Sequence, residues 1–160
     1  MEQLDVFPMK IISPLSMLRF RETPGDDATT PLLFNHLVAK GIIVDFLIGE
    51  FSASDGMSIV LCVSQDRSVE LLRELCRSRQ LARAEVVAVE TPVSIIRILG
   101  AHFDIRPGIL AFLMDSVLRA GIQVFATSTT ITSSLLVVPE TQLQPTLRLL
   151  REIFRVPGED

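Results

Sequence analysis

The chain has 160 residues, of which 48% are hydrophobic and 21% charged, and its formal net charge is −4. This composition favours a globular protein with a substantial core over a disordered chain, and the acidic balance argues against nucleic acid, whose binding needs clustered Lys and Arg. No apolar run approaches the ~18 residues of a membrane span, and the first residues lack the parts of a secretory signal. We therefore expect a cytoplasmic protein that binds neither membranes nor nucleic acids.

The chain begins with two predicted strands. Residues 1–8 are predicted to form a tail. Met9–Ile12 and Ser16–Phe20 have the short apolar pattern of strands, and Ser13-Pro14 between them is typical of a strand end. The polar residues after Phe20 predict a turn region before the next element.

A helix, a β-hairpin, a second helix and a strand follow in order. Thr29 or Thr30 is a suitable helix N-cap and Gly41 a suitable stop. The two Cys side chains, Cys62 and Cys76, are predicted to be small buried hydrophobic groups, because isolated Cys residues form no metal motif. The predicted elements are a helix over 29–40, strands over 42–48 and 57–63, a helix from 66 or 68 to about 82 and a strand over 84–89.

Residues 93–138 predict a strand, a helix and two more strands. Val93–Leu99 is rich in β-branched residues, as a buried strand would be. Pro107-Gly108 is a turn that can open a helix, and Gly121 ends it. Apolar residues at helical spacing in this helix are Ile109, Phe112, Leu113, Val117 and Leu118; strands over 122–126 and 135–138 and a final helix from Thr141 to about Arg155 follow.

The two halves of the chain repeat each other. Gly41-Ile42 recurs as Gly121-Ile122, a distance of 121 − 41 = 80 residues. Leu71-Leu-Arg-Glu-Leu recurs as Leu149-Leu-Arg-Glu-Ile, a distance of 149 − 71 = 78 residues. Two elements that recur in the same order at nearly one period indicate a duplicated unit.

One strand is left over by this duplication. The second copy ends after its final helix without the closing strand that residues 84–89 supply to the first copy. Met9–Ile12 has no place in the first copy, so we predict that it crosses over and completes the second sheet, which removes an unpaired edge. The predicted units are residues 13–90, and residues 91–156 together with the strand 7–12.

The second copy resembles a known family. Pro107-Gly108, the helix, Ala120-Gly121-Ile122 and Thr127-Ser-Thr-Thr-Ile resemble the second of the paired ACT domains in the regulatory region of aspartokinases. The resemblance implies an α+β fold of two ferredoxin-like βαββαβ units packed as a pair, with the N-terminal strand completing the second sheet. It also implies a homodimer that joins sheets side by side.

The resemblance also implies where a ligand would bind. A helix N-terminus can hold a carboxylate, and strand-end hydroxyls and carbonyls can hold an ammonium group; ACT domains bind free amino acids between the strand–helix loop and a neighbouring strand. The matching positions are Asp26, Asp27, Ala28, Thr29, Thr30, Gly49 and Glu50 in the first unit, and Asp104, Ile105, Arg106, Pro107, Gly108, Ile109, Thr127, Ser128, Thr129 and Thr130 in the second.

The first unit departs from the family pattern. Asp27-Ala28 stands where the family has Pro-Gly, and Gly49-Glu50 replaces a Gln-Asn pair that can both donate and accept hydrogen bonds. Two interpretations stay open, that Glu50 pairs with the ammonium group of a basic effector and that this site is inactive. In the second unit, β-propensity and turn chemistry explain the Thr-rich residues 127–132 as well as ligand binding does.

The sequence offers no catalytic machinery. It contains no nucleophile–base constellation, metal-spaced cluster or Gly-rich phosphate loop, and it lacks a counterpart of the aspartokinase catalytic region. We therefore expect a non-enzymatic regulatory module without a cofactor. Its implied effector is lysine, threonine or another aspartate-family product, and a kinase catalytic domain is its candidate partner. The alternative is a ligand-free protein–protein assembly module with degenerate sites.

Overall fold

A computed structural model describes residues 4–22, 29–52, 56–77, 84–100 and 108–156. These residues form an α+β fold, and a short 3-10 turn over Glu140–Gln142 precedes the last helix. The strands are β1 Leu4–Asp5, β2 Lys10–Glu22, β3 Val44–Ser52, β4 Gly56–Ser64, β5 Ala84–Leu99, β6 Ala126–Thr129, β7 Ser133–Pro139 and β8 Phe154–Arg155; the helices are α1 Thr29–Ala39, α2 Gln65–Arg77, α3 Ile109–Arg119 and α4 Leu143–Ile153.

The chain divides into two compact units. The first unit is Pro14–Pro92, and the second unit is Met1–Ser13 together with Val93–Asp160. The strand order is β3-β4-β2-β5 in the first unit and β2-β5-β7-β6 in the second, so β2 and β5 each contribute one part to each unit. This is the ferredoxin-like arrangement, and the expected α+β fold, in which the N-terminal strand completes the second sheet, is confirmed.

Each unit packs its two helices on one face of its sheet. Both cores are built from apolar side chains, mostly aliphatic, that are almost fully removed from water, and this burial is the main favourable contribution to folding. The core of the first unit contains Leu18, Phe20, Leu33, Leu37, Ile42, Ile59, Leu61, Val63, Leu71 and Leu75. The core of the second unit contains Val6, Ile96, Ile98, Ile109, Leu113, Val117, Ile122, Leu136, Val138, Leu147, Leu150 and Phe154.

The corresponding helices α1 and α3 end in the same way. Gly41 follows α1 with φ 61°, and Gly121 follows α3 with φ 71°, a left-handed conformation that glycine adopts without strain. The N–H groups of Gly41 and Ile42 donate to carbonyls of α1, and those of Gly121 and Ile122 repeat the pattern on α3. These paired bonds form Schellman motifs, so the repeated Gly-Ile pairs have one structural cause.

Two predicted strand boundaries do not exist. Lys10–Ile12 and Ser16–Phe20 belong to the single thirteen-residue strand β2, which begins one residue after the predicted start at Met9, and 84–89 and 93–99 belong to the single sixteen-residue strand β5. The predicted break at Ser13-Pro14 is wrong because the φ angle that the proline ring imposes also suits an extended strand. The long strands allow one segment to serve both units.

The strand predicted over 122–126 starts later, because the preceding backbone is engaged elsewhere. β6 begins at Ala126. The N–H of Ile122 caps α3, and the N–H of Gln123 donates to Gln142 Oε1 at 2.7 Å. The first backbone group of this segment to reach β7 is the N–H of Phe125, which donates to the Val137 carbonyl.

The buried face of α3 is narrower than its apolar pattern. Ile109, Leu113 and Val117 are buried, whereas Phe112 is half-buried and Leu118 is 59% exposed. Positions i, i+4 and i+8 lie on one side of a helix, and Leu118 lies one residue, or about 100°, past that stripe. Leu118 therefore belongs to the apolar pattern of α3 but lies outside its buried face.

Residues 4–7 are not a tail. β1 pairs in parallel with β8, the Val6 N–H donates to the Arg155 carbonyl, and the Phe7 N–H donates to the Leu99 carbonyl. The Val6 side chain is only 3% exposed and belongs to the core of the second unit. Residues 4–7 and β8 are therefore both joined to that unit, contrary to the prediction of a tail.

The two cysteines differ in environment. Cys62 is buried in β4, whereas Cys76 is exposed on α2, contrary to the prediction that both are buried. Cys76 directly follows Leu75, which is the last residue of the buried stripe of α2. Burial raises the pKa of the Cys62 thiol to about 12, and the Asp45 carboxylate adds to the shift.

We expect the native protein to react with thiol reagents at Cys76 and not at Cys62. The Cys62 thiol stays protonated at pH 8, and the thiolate is the nucleophile, so Ellman's reagent should modify one cysteine natively and both in urea. Because an unfolded thiol releases its proton near pH ~8.5, burial of Cys62 also lowers stability as the pH rises above that value. Rapid modification of both cysteines in the native protein would contradict this prediction.

Candidate functional site

In the second unit, α3 begins without a side-chain cap. Gly108 precedes the helix in a left-handed conformation with φ 91°, and its carbonyl accepts the Phe112 N–H at 2.9 Å. No described side chain caps this helix, and no acidic residue lies in its first turn. Ile109 is buried and anchors the turn, while Gly108, Leu110 and Ala111 are exposed. Asp104, Ile105, Arg106 and Pro107 lie outside the described residues.

The start of a helix carries backbone N–H groups without helical acceptors and a partial positive charge. The first turn of α3 therefore presents donors to water with no internal anion to satisfy them, within the part of the chain that the structure describes. Such a terminus suits a carboxylate or another small anion.

The hydroxyls predicted to face a ligand hold the β6–β7 hairpin together. Thr127 Oγ1 donates to the Leu135 carbonyl at 2.9 Å, and Thr129 Oγ1 lies 2.6 Å from Ser134 Oγ. Thr130 Oγ1 lies 2.9 Å from Ser133 Oγ and accepts the Ser133 N–H at 3.1 Å. These bonds give the Thr-rich segment a structural role.

The strand register places this hairpin at the end of the sheet where β5 leaves toward α3. Leu99, the last residue of β5, pairs with Ser133, and Thr129 pairs with Ser134. The Gly100 N–H also donates to the Thr132 carbonyl at 3.0 Å. Ser128 pairs with Leu135, so its half-buried side chain lies on the other face from Thr127 and Thr129.

In the first unit, an internal carboxylate occupies the start of α1. Glu22 Oε1 accepts the backbone N–H of Thr30 at 3.2 Å, and Glu22 Oε2 accepts the Thr30 hydroxyl at 2.6 Å. Thr30 Oγ1 also lies 3.1 Å from Met57 Sδ. Asp26, Asp27 and Ala28 lie outside the described residues, as does the side chain of Thr29.

Gly49 and Glu50 lie on opposite faces of β3. Gly49 pairs with Ile59 of the core, and a Cβ at Gly49 would be 3.5 Å from Met57 Cε, so this position faces the side of the sheet that α1 covers. Glu50 pairs with Ser58 and is exposed. Because side chains alternate along a strand, the Glu50 carboxylate points away from Thr30.

Sequence patterns did not identify Glu22 as part of this site. It lies at the end of β2, eight residues before Thr30, and no helix-capping pattern uses that spacing. Only the return of the chain from β2 to α1 brings the carboxylate to the helix.

The described residues offer little for other chemistry. They contain no group of three or more His, Cys, Asp and Glu side chains that could hold a metal ion. No helix in the described part of the chain combines the length and the apolar character needed to cross a bilayer.

Comparison with known proteins supports the ACT assignment. Residues 88–152 match the model of an ACT domain family. An aspartokinase of Bacillus sp. (strain MGA3) is 23% identical to the chain over 135 residues, which cover 84% of this chain and 33% of that protein. The chain therefore spans about a third of the length of this relative.

Solved aspartate kinase structures share the fold. The regulatory subunit of aspartate kinase from Thermus thermophilus, in its ligand-free form, superposes with a TM-score of 0.79 at 17% identity, over 94% of this chain and 99% of that subunit. The corresponding subunit from Thermus flavus has a TM-score of 0.77 at 18% identity, over 92% and 97%. Aspartokinase III of E. coli in complex with lysine and aspartate has a TM-score of 0.66 at 17% identity, over 97% of this chain and 35% of that one.

The matched family model covers residues 93–152 of the second unit and the last five residues of the first, and the structural likeness extends over both units. Residues 88–152 therefore match an ACT domain, and the fold of the two units is similar to that of the regulatory subunits of aspartate kinases.

Proposed function

We propose that this protein is a non-catalytic regulatory module that binds a free amino acid and controls an aspartate kinase or another enzyme of amino-acid biosynthesis. The observation that carries the proposal is the exposed start of α3 behind Gly108, which no side chain among the described residues caps. That feature lies within the segment that matches the ACT family model.

The effector fits this end of the second unit by charge. Its carboxylate accepts the N–H groups of the first turn of α3, and its ammonium group lies against carbonyls at the ends of the strands. The loop from Asp104 to Pro107 belongs to the proposed site. The effector class is lysine, threonine or another aspartate-family amino acid, which agrees with the lysine in the complex of E. coli aspartokinase III.

The proposed partner is a kinase catalytic domain, because aspartate kinase regulatory subunits share the fold and the chain spans only a third of its Bacillus relative. We further propose that the module acts in the cytoplasm as a homodimer. Effector binding then shifts the equilibrium between two packing arrangements of the module. The free energy of this shift is at most the difference between the effector's binding free energies for the two arrangements.

A second candidate function is that of an assembly module without ligand. The internal hydrogen bonds of Thr127, Thr129 and Thr130 favour it, because those hydroxyls are already satisfied. The exposed apolar side chains of Leu47 and Phe51 on the edge strand β3 also suit contact with another protein surface.

A pair of charge variants on α3 separates the two functions. Thermal unfolding with a panel of amino acids at millimolar concentration should identify an effector, since a ligand at about 100 times its dissociation constant adds ~2.7 kcal/mol. Ala111→Glu places a carboxylate in the first turn of α3 and should abolish the rise in Tm. Ala120→Glu adds the same charge at the other end of the helix and should retain it.

The oligomeric state is measured in the same samples, and the two results together distinguish the sensor from the assembly module. A rise in Tm with one amino acid, lost only in Ala111→Glu, supports the sensor. Equal rises in Tm for both variants would show that the ligand binds away from the start of α3 and would overturn the proposed site. A flat panel with a stable dimer would favour the assembly module.

A further inference from the structure

The corresponding helices of the two units differ at the end where an effector would bind. α1 and α3 have the same length and end in the same Schellman motif. Within residues 84–100 and 108–156, no side chain caps the start of α3, whereas the first turn of α1 is bonded to the carboxylate of Glu22. The duplicated units therefore present different surfaces to a free amino acid.

We propose that Glu22 is a built-in substitute for the effector carboxylate, which closes the first unit and leaves one amino-acid site per chain, in the second unit. This inference rests on the proposed function. The Glu22 carboxylate uses both of its oxygens on Thr30, one on the backbone N–H and one on the hydroxyl. These are the donors that an α-carboxylate would need at this helix.

The hydrogen bond between the Glu22 carboxylate and the Thr30 hydroxyl is of a strong kind. Its O–H to carboxylate distance of 2.6 Å is that of a charge-assisted hydrogen bond. The partial positive charge of the helix terminus also attracts the carboxylate. Because Glu22 is tethered in the same chain, its contact with Thr30 is intramolecular, and an external carboxylate has to displace it.

The side chains around Thr30 also favour a closed amino-acid site in the first unit. The Met57 thioether lies against the Thr30 hydroxyl, and the main chain at Gly49 lies close to Met57. The only other candidate acid of this site in the described residues, Glu50, points to the opposite face of β3. An ammonium group at Thr30 would therefore not gain the Glu50 contact that the sequence suggested.

The test uses acetate as a minimal carboxylate and the amide NMR signal of Thr30 as the readout, in the full chain. Acetate should leave this signal unchanged in the wild type relative to sodium chloride at equal ionic strength. In Glu22→Ala it should shift the signal in a saturable way, because the internal competitor is gone. Glu85→Ala removes an exposed acid from the same unit and should behave as the wild type.

Glu22→Gln keeps the size of the side chain and removes its charge, so it serves as the test variant if Glu22→Ala fails to fold. It should also admit acetate, more weakly than the alanine variant. A saturable shift in the wild type, or no shift in either Glu22 variant, would overturn the inference. The proposed function is tested separately, by the change in the amide NMR signals of residues 109–111 when amino acids are added. The proposed function and the inference about Glu22 can therefore fail independently of each other.

Discussion

Leu113→Ala is expected to lower the free energy of unfolding by about 2–5 kcal/mol, the range for deleting a fully buried leucine side chain. Leu113 is 0% exposed at the centre of α3 and belongs to the core cluster that includes Leu136 and Leu147. The change leaves a cavity between the helix and the sheet, which the surrounding side chains fill only in part. Leu113 lies one turn after Ile109 on the buried face of α3. The substitution therefore also tests whether packing of this face holds the first turn of the helix in place.

Leu118→Ala is the matched control, because it makes the same change on the same helix at a side chain that is 59% exposed. It should alter stability by less than about 0.5 kcal/mol, as surface substitutions usually do. The chain has no Trp or Tyr, so urea unfolding is best followed by circular dichroism. Equal losses for the two variants would show that the assigned buried face of α3 is wrong.

Val6→Asp is expected to destabilise the second unit by about 3 kcal/mol or more. The substitution removes a buried side chain, worth ~1.5–3 kcal/mol, and puts an unpaired charge into an apolar site. Val6 is 3% exposed, and its N–H donates to the Arg155 carbonyl next to the β1–β8 pairing. Loss of this contact should release both ends of the chain from the second unit.

Phe7→Asp introduces the same charge at the next residue, where the side chain is 59% exposed. Its backbone bond to the Leu99 carbonyl is unaffected by the side chain, so the variant should unfold close to the wild type. Hydrogen exchange of the β7 amides reports on the second unit directly. Protection of these amides that is unchanged in Val6→Asp would mean that residues 4–7 behave as the tail that the sequence suggested.

The proposed one-sided organisation of effector binding rests on two local differences. The second unit retains an exposed helix start behind Gly108, and the first unit places Glu22 on its own helix start. A duplicated module with one closed copy would respond to one amino acid per chain, so the concentration dependence of regulation should contain a single binding step for each chain. This stoichiometry is a consequence of the further inference and shares its test.

The sequence by itself determined the repeat and the fold class. Gly41 and Gly121 are determined locally, because a Schellman motif needs a left-handed residue within a few positions of the helix end. The crossover of the N-terminal strand followed from counting strands, since a βαββαβ unit without its fourth strand leaves an edge open. The resemblance to aspartokinase ACT domains rested on short local patterns of the same kind.

Only the tertiary structure decided which residues meet. The bond from Thr30 to Glu22, the burial of Val6 against the second unit and the engagement of the Thr127 hydroxyl depend on where the chain returns in space. Periodicity reports which face of an element is apolar, and it carries no information about a partner that is distant in sequence. The contact of Glu22 with the start of α1 is therefore made by long-range packing, and we propose that this contact determines which unit can hold a ligand.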